Sequence, residues 1–133
     1  MNRKRNVMFE NKSTTFNDSI DVEQGLAYLA GKKELYVKIA TVFVNGAESK
    51  IENLKEFLKQ EDFNRLVIEI HGLKSSAATV GSTLLPVLAQ ELEREGKQGN
   101  NEFISQNFEK FIAQYEDTCK ALRSVIDLMQ REL

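Results

Sequence analysis

A single cysteine, Cys119, stands in the 133 residues, so no intramolecular disulfide can staple the chain, and a reducing compartment suits it. Tryptophan is absent and proline occurs once, at Pro86, which leaves long helices almost uninterrupted. No apolar run approaches the roughly 20 residues that span a bilayer, and the N-terminus lacks the apolar centre of a signal peptide. The expected working place is the cytoplasm. Neither sign of charge dominates: 18 Lys and Arg against 20 Asp and Glu leave a formal charge of −2, with no electrostatic footprint for nucleic acid. One histidine and one cysteine cannot assemble a zinc site, and Cys119 falls on an apolar stripe where it reads as a small buried hydrophobe. The length suits one domain with a single core.

What remains is a chain of helical periods. Residues 1–18 are polar, basic at the start and without period, and read as a flexible N-terminal segment or linker; Arg3, Lys4 and Arg5 are too few to tether it to lipid or nucleic acid. The domain is expected over residues 19–133. Asp18 or Ser19 can cap a short first helix reaching about Leu29, with Gly31 closing it. A second helix begins near Lys33 and carries Tyr36, Ile39, Ala40, Phe43, Ala47, Ile51 and Leu54, with a kink or brief break expected at Asn45-Gly46. Asp62 caps a third helix whose stripe is Phe63, Leu66, Val67, Ile70, Leu73, Ala77 and Val80, and Gly81 ends it. Ser82 can cap the fourth, which holds Pro86 in its first turn and a half and stops at Gly96. The last runs from about residue 102 to 131 with Phe108, Phe111, Ile112, Tyr115, Cys119, Leu122 and Ile126 in register. No strand alternation occurs. These periods predict an all-α antiparallel up-down four-helix bundle with a short extra N-terminal helix.

The solitary histidine lies on the third of these helices. His71, Lys74 and Ser75 stand at i, i+3 and i+4 and share a face turned away from the aliphatic stripe, so the imidazole points to solvent. Gly72, Ser75, Ser76, Ala77 and Ala78 leave it above a low surface that another protein could approach closely. A neutral imidazole keeps one ring nitrogen free as a nucleophile. If that nitrogen takes a phosphoryl group, Lys74 supplies an ammonium one turn away, and Ser75 and Ser76 add hydroxyl donors. No second histidine, no acidic residue beside His71 to orient it and no Gly-rich phosphate cradle are present. The site suits holding a phosphoryl group and lacks the parts for taking one from a nucleotide. On the fourth helix Gln90, Glu93 and Lys97, at spacings of three and four, form a polar face that could look toward His71.

The run His71-Gly72-Leu73-Lys74-Ser75-Ser76-Ala77, followed by Val80-Gly81, Leu84-Leu85, Leu88-Ala89 and Leu92-Glu93, resembles the histidine-containing phosphotransfer (HPt) domains of bacterial multistep phosphorelays. Members show a His-x-Leu-Lys-Gly-Ser-Ala-like run, a Gly near ten residues on and a Leu-Glu pair on the next helix. The likeness reaches upstream to Asp21-Val22-Glu23-Gln24-Gly25-Leu26 and Glu34-Leu35-Tyr36, covering roughly residues 20 to 130. It departs at Ser75, where the family often has Gly. The resemblance implies that His71 is the phosphoacceptor, taking a phosphoryl group from the phospho-aspartate of one response-regulator receiver domain and passing it to the aspartate of another. It implies support from Lys74, Ser75 and Ser76, no kinase or ATP-binding site and no intrinsic cofactor, with Mg²⁺ and catalytic carboxylates supplied by the receiver. The first helix would help line the docking surface. Family members often place a Gln or another polar side chain on the next helix to hydrogen-bond the imidazole or the phosphoryl group, which selects Gln90; Glu93 would repel phosphate but could hold an imidazole N–H.

Two other readings share these residues. A helical adaptor could bind a receiver without transfer. A sensor-kinase dimerisation and phosphotransfer module would have an acidic residue after the histidine and soon a proline, whereas Gly72 stands here and no proline follows until Pro86. The domain could stand alone or close the C-terminal end of a hybrid sensor histidine kinase. Gel filtration separates relay from kinase module: the relay reading expects a monomer, and an obligate dimer would favour the kinase module.

Overall fold

The structure, a computed structural model, describes residues 20–133, so the N-terminal segment, its Arg3-Lys4-Arg5 cluster and the caps expected at Asp18 or Ser19 lie outside the described residues. Five α-helices follow in order: α1 (Val22–Tyr28), α2 (Lys33–Lys59), α3 (Phe63–Thr79), α4 (Leu85–Lys97) and α5 (Asn101–Glu132). The links at 60–62, 80–84 and 98–100 are too short to carry the chain back along a helix, so α2 to α5 run alternately up and down. Each of these four packs on its two chain neighbours, and α5 closes the ring on α2. The helix α1 lies across one end, against α2 and α3. The bundle expected from the periods is the bundle found.

Each helix buries the stripe its spacing marks. From α3, Leu66, Ile70 and Ala77 are fully inside, while Phe63 and Val67 pack partly buried at the rim. From α5, Phe111, Tyr115 and Leu122 are fully inside, with the Tyr115 ring tilted against Phe43 of α2 at 5.7 Å between centroids. Burial of one such side chain contributes about 1.5–3 kcal/mol, which is why a few stripes suffice to hold helices whose own propensity is marginal. Cys119 sits among them as a small hydrophobe, and burial pushes its thiol up to about 11.

The ends are closed by side chains and tight backbone turns. Asp62 caps α3 by accepting from the Arg65 amide and Asn100 caps α5 through the Phe103 amide; α1 starts later than expected, at Val22, and its cap is Asp21, which accepts from the Gln24 amide, in place of Asp18 or Ser19. At the far end of α3 the Ser82 amide donates to the Ala77 carbonyl and the Gly81 amide to the Ala78 carbonyl, the paired bonds of a left-handed helix stop. Gly81 adopts φ +86°, and a Cβ there would strike the Asp21 carbonyl oxygen. That crowding is functional in the fold, because the Asp21 amide donates to the Gly81 carbonyl at 2.7 Å and pins the start of α1 to the end of α3. The Tyr36 hydroxyl, pushed up to about 12 by burial, donates to the Val80 carbonyl at 2.7 Å and ties α2 to the same corner.

Three further local expectations are corrected. The helix α2 runs unbroken through Asn45-Gly46, because the packing on both sides of Gly46 holds the helical register across it. The fourth helix takes Leu84 as its N-cap, and Ser82 contributes from two residues earlier by accepting from the Leu85 amide. Gly96 does not stop α4, which continues to Lys97; a Cβ on it would run into Val67 of α3 and approach Ile104 of α5 to 2.9 Å. Gly96 is the point at which three helices come together.

Two glycines should respond in opposite senses to alanine. Gly81→Ala forces both a left-handed Cβ and the Asp21 clash, and should lower stability in urea by at least about 2 kcal/mol. Gly72 lies exposed in mid-helix with nothing within 4 Å of an added Cβ, so Gly72→Ala should raise stability by about 0.5–1 kcal/mol.

Candidate functional site

The helix α3 carries His71 two turns before its C-terminus, on the face opposite Ile70 and Leu73. The imidazole is 57% exposed, as its distance from the stripe requires. Across the α3–α4 seam lies Glu93, whose side chain is only 5% exposed. Its position follows from Leu92 beside it, which is fully buried, and from the close approach of α4 to α3 at Gly96.

Glu93 gathers three donors. Its Oε2 lies 2.6 Å from His71 Nδ1 and 2.9 Å from Lys97 Nζ, while its Oε1 accepts from Lys74 Nζ at 2.8 Å. Burial alone would raise the carboxyl, but the hydrogen bonds from Lys74, Lys97 and His71 outweigh it and hold Glu93 at about 2. Glu93 is therefore an ionised carboxylate, and an ionised carboxylate only accepts. The hydrogen at the 2.6 Å contact must belong to Nδ1. In the neutral ring Nε2 then carries the free lone pair, and the half-exposed imidazole offers that lone pair outward.

The absence of an acidic orienting residue, read from the neighbours of His71 in the chain, is thus corrected: the carboxylate comes from the next helix. Lys74 lies beside His71 as the spacing required, but its ammonium is engaged by Glu93 and it is only 26% exposed. Ser75 and Ser76 are exposed on the same turn, where Ser76 Oγ donates to the Gly72 carbonyl and the Ser75 carbonyl accepts from Thr79 Oγ1. Gln90 is exposed on α4, and among the described residues it forms no hydrogen bond with His71. The side chain that meets the imidazole is Glu93, three residues further along the same face. The signal available for this was the Glu93/Lys97 spacing of four, the orientation that pairs best on a helix. On the other side of His71, between α2 and α3, Ile68, Gly72, Ser76 and Lys50 line a shallow cavity of about 300 Å³.

Among the described residues no helix is long and apolar enough to cross a membrane. The sequence model of the Hpt domain matches residues 38–131, well over half of the chain. Neither the comparison with curated proteins nor that with solved structures gives a significant match.

The depressed Glu93 carboxyl makes a prediction about acid stability. The folded state binds fewer protons than the unfolded one between about 4.5 and 2, so the stabilisation from Glu93 is complete above pH 4.5 and is lost as pH falls toward 2. In Glu93→Gln the urea midpoint should be lower at neutral pH and fall less steeply over that window. Parallel pH profiles for the two proteins would contradict the ion cluster.

Proposed function

This chain belongs to the Hpt domain family, whose members transfer phosphoryl groups in phosphorelays and interact with receiver domains, and on that footing we propose that His71 is the phosphoacceptor of such a relay. The single observation supporting this most is the 2.6 Å contact of His71 Nδ1 with the buried Glu93 carboxylate; with the ring hydrogen at that contact, Nε2 is left as the outward nucleophile. Nε2 attacks the phosphorus of a receiver's phospho-aspartate; the P–N bond forms as the P–O bond breaks and the aspartate carboxylate departs. The ring gains positive charge as the bond forms, and Glu93 stabilises it through the Nδ1 hydrogen. Transfer to a second receiver runs the same step in reverse, with that receiver's aspartate as the nucleophile.

Lys74 offsets the phosphoryl charge from within the cluster, and Ser75 and Ser76 offer hydroxyls on the same turn. The net charge of Glu93 with two ammoniums is positive, so the carboxylate does not repel the incoming group as it would alone. The receiver supplies Mg²⁺ and its own carboxylates. Docking uses the low surface around His71, where Gly72, Ser75 and Ser76 present no bulk and Ile68 and Val42 stand exposed beside it. A transient interface is expected, because a relay must release each partner.

The test is incubation with a phosphorylated receiver. Label should move onto the wild-type chain and be absent from His71→Gln, whose helical circular dichroism should be unchanged since the ring is half outside the core. Label on His71→Gln at the wild-type level, or no label on the wild type from any of a panel of receivers, would overturn the proposal.

A further inference from the structure

The polar face of α4 holds a residue to which the relay reading gives only a share of the cluster's charge. Lys97 is the last residue of α4 and stands four residues beyond Glu93, and its ammonium reaches Glu93 Oε2 at 2.9 Å. This is the oxygen that receives the Nδ1 hydrogen of His71; Lys74 occupies the other. The backbone at Lys97 is not free to drift, because Gly96 beside it sits against Val67 of α3 and Ile104 of α5. Val67 is one turn before His71 on α3, so the contact that seats the end of α4 also sets the distance between Glu93 and the imidazole. A cation at the C-terminal turn of a helix is favoured by the helix dipole as well.

We propose that Lys97 is a positioning residue for phosphoryl transfer: by occupying the second lone pair of Glu93 Oε2 it holds the carboxylate in the rotamer that fixes the Nδ1–H form of His71. The inference deepens the relay reading and rests on it for its consequence, though not for its geometry. With Lys74 as the one ammonium, Oε1 keeps its cation while Oε2 has only the ring contact, and it can swing away from the ring. The ring then samples the form in which Nε2 carries the hydrogen and has no lone pair to offer. Lys97 itself is 66% exposed, so its loss costs the fold little.

Because the chain has one histidine, the tautomer can be read without assignment from long-range ¹H–¹⁵N correlation spectra. Acceptance of phosphate from phosphoramidate reports the nucleophile without any receiver. Wild type should show the Nδ1–H form. Lys97→Met should show a mixture of the two forms, accept phosphate about two- to fivefold more slowly and melt at the wild-type temperature. Lys97→Arg should restore both the spectrum and the rate. A wild-type spectrum in Lys97→Met overturns the proposal; if the rate nevertheless falls, Lys97 acts on the phosphoryl group directly. If wild-type His71 takes no phosphate from phosphoramidate or receivers while the tautomer shift in Lys97→Met is present, the relay reading fails and the positioning role stands.

Discussion

One carboxylate holds the site together. Glu93 is nearly sealed from water between two helices, a position that would be costly for an unpaired charge and is tolerated because both of its oxygens are engaged by donors from α3 and α4. Remove the cations and burial would favour the neutral acid, which could donate to the ring and no longer dictate its tautomer. The imidazole, the two ammoniums and the carboxylate therefore form one unit. Its geometry depends on how closely α3 and α4 approach.

That approach is set by apolar packing and by a missing side chain. Leu66, Ile70, Leu88 and Leu92 are buried along the seam, and Gly96 lets the end of α4 come into contact with Val67 and Ile104. The corner where α1, α2 and α3 meet is held by Tyr36, Gly81 and Asp21, so α3 is anchored at its C-terminal end two turns from His71. A rigid frame surrounds an exposed ring. Such an arrangement sets the geometry of the ring before any partner arrives, since the cost of ordering it was met when the chain folded.

Much of this was legible in the residues themselves. The stripe of α3 and the cap at Asp62 placed His71 on a solvent face, and Gly81 marked the end of its helix, because these depend on periods and caps local in sequence. The polar face of α4 was legible too, as a set of three residues. Which of Gln90 and Glu93 faces His71 was not, because that depends on the rotation of α4 against α3, and the rotation is decided by contacts such as Gly96 with Val67 that are far apart in the chain. For the same reason Gly96 read as a stop and Gly46 as a break. A glycine looks alike in sequence whether it ends a helix, interrupts one or admits a neighbour.

The most direct test of the tautomer imposed by Glu93 is to find which ring nitrogen carries the phosphoryl group. With the chain phosphorylated and its single histidine labelled with ¹⁵N, the ³¹P–¹⁵N coupling should appear at Nε2, with Nδ1 still bearing its hydrogen toward Glu93. Phosphorus bonded to Nδ1 would mean that the buried carboxylate does not govern the chemistry of this ring.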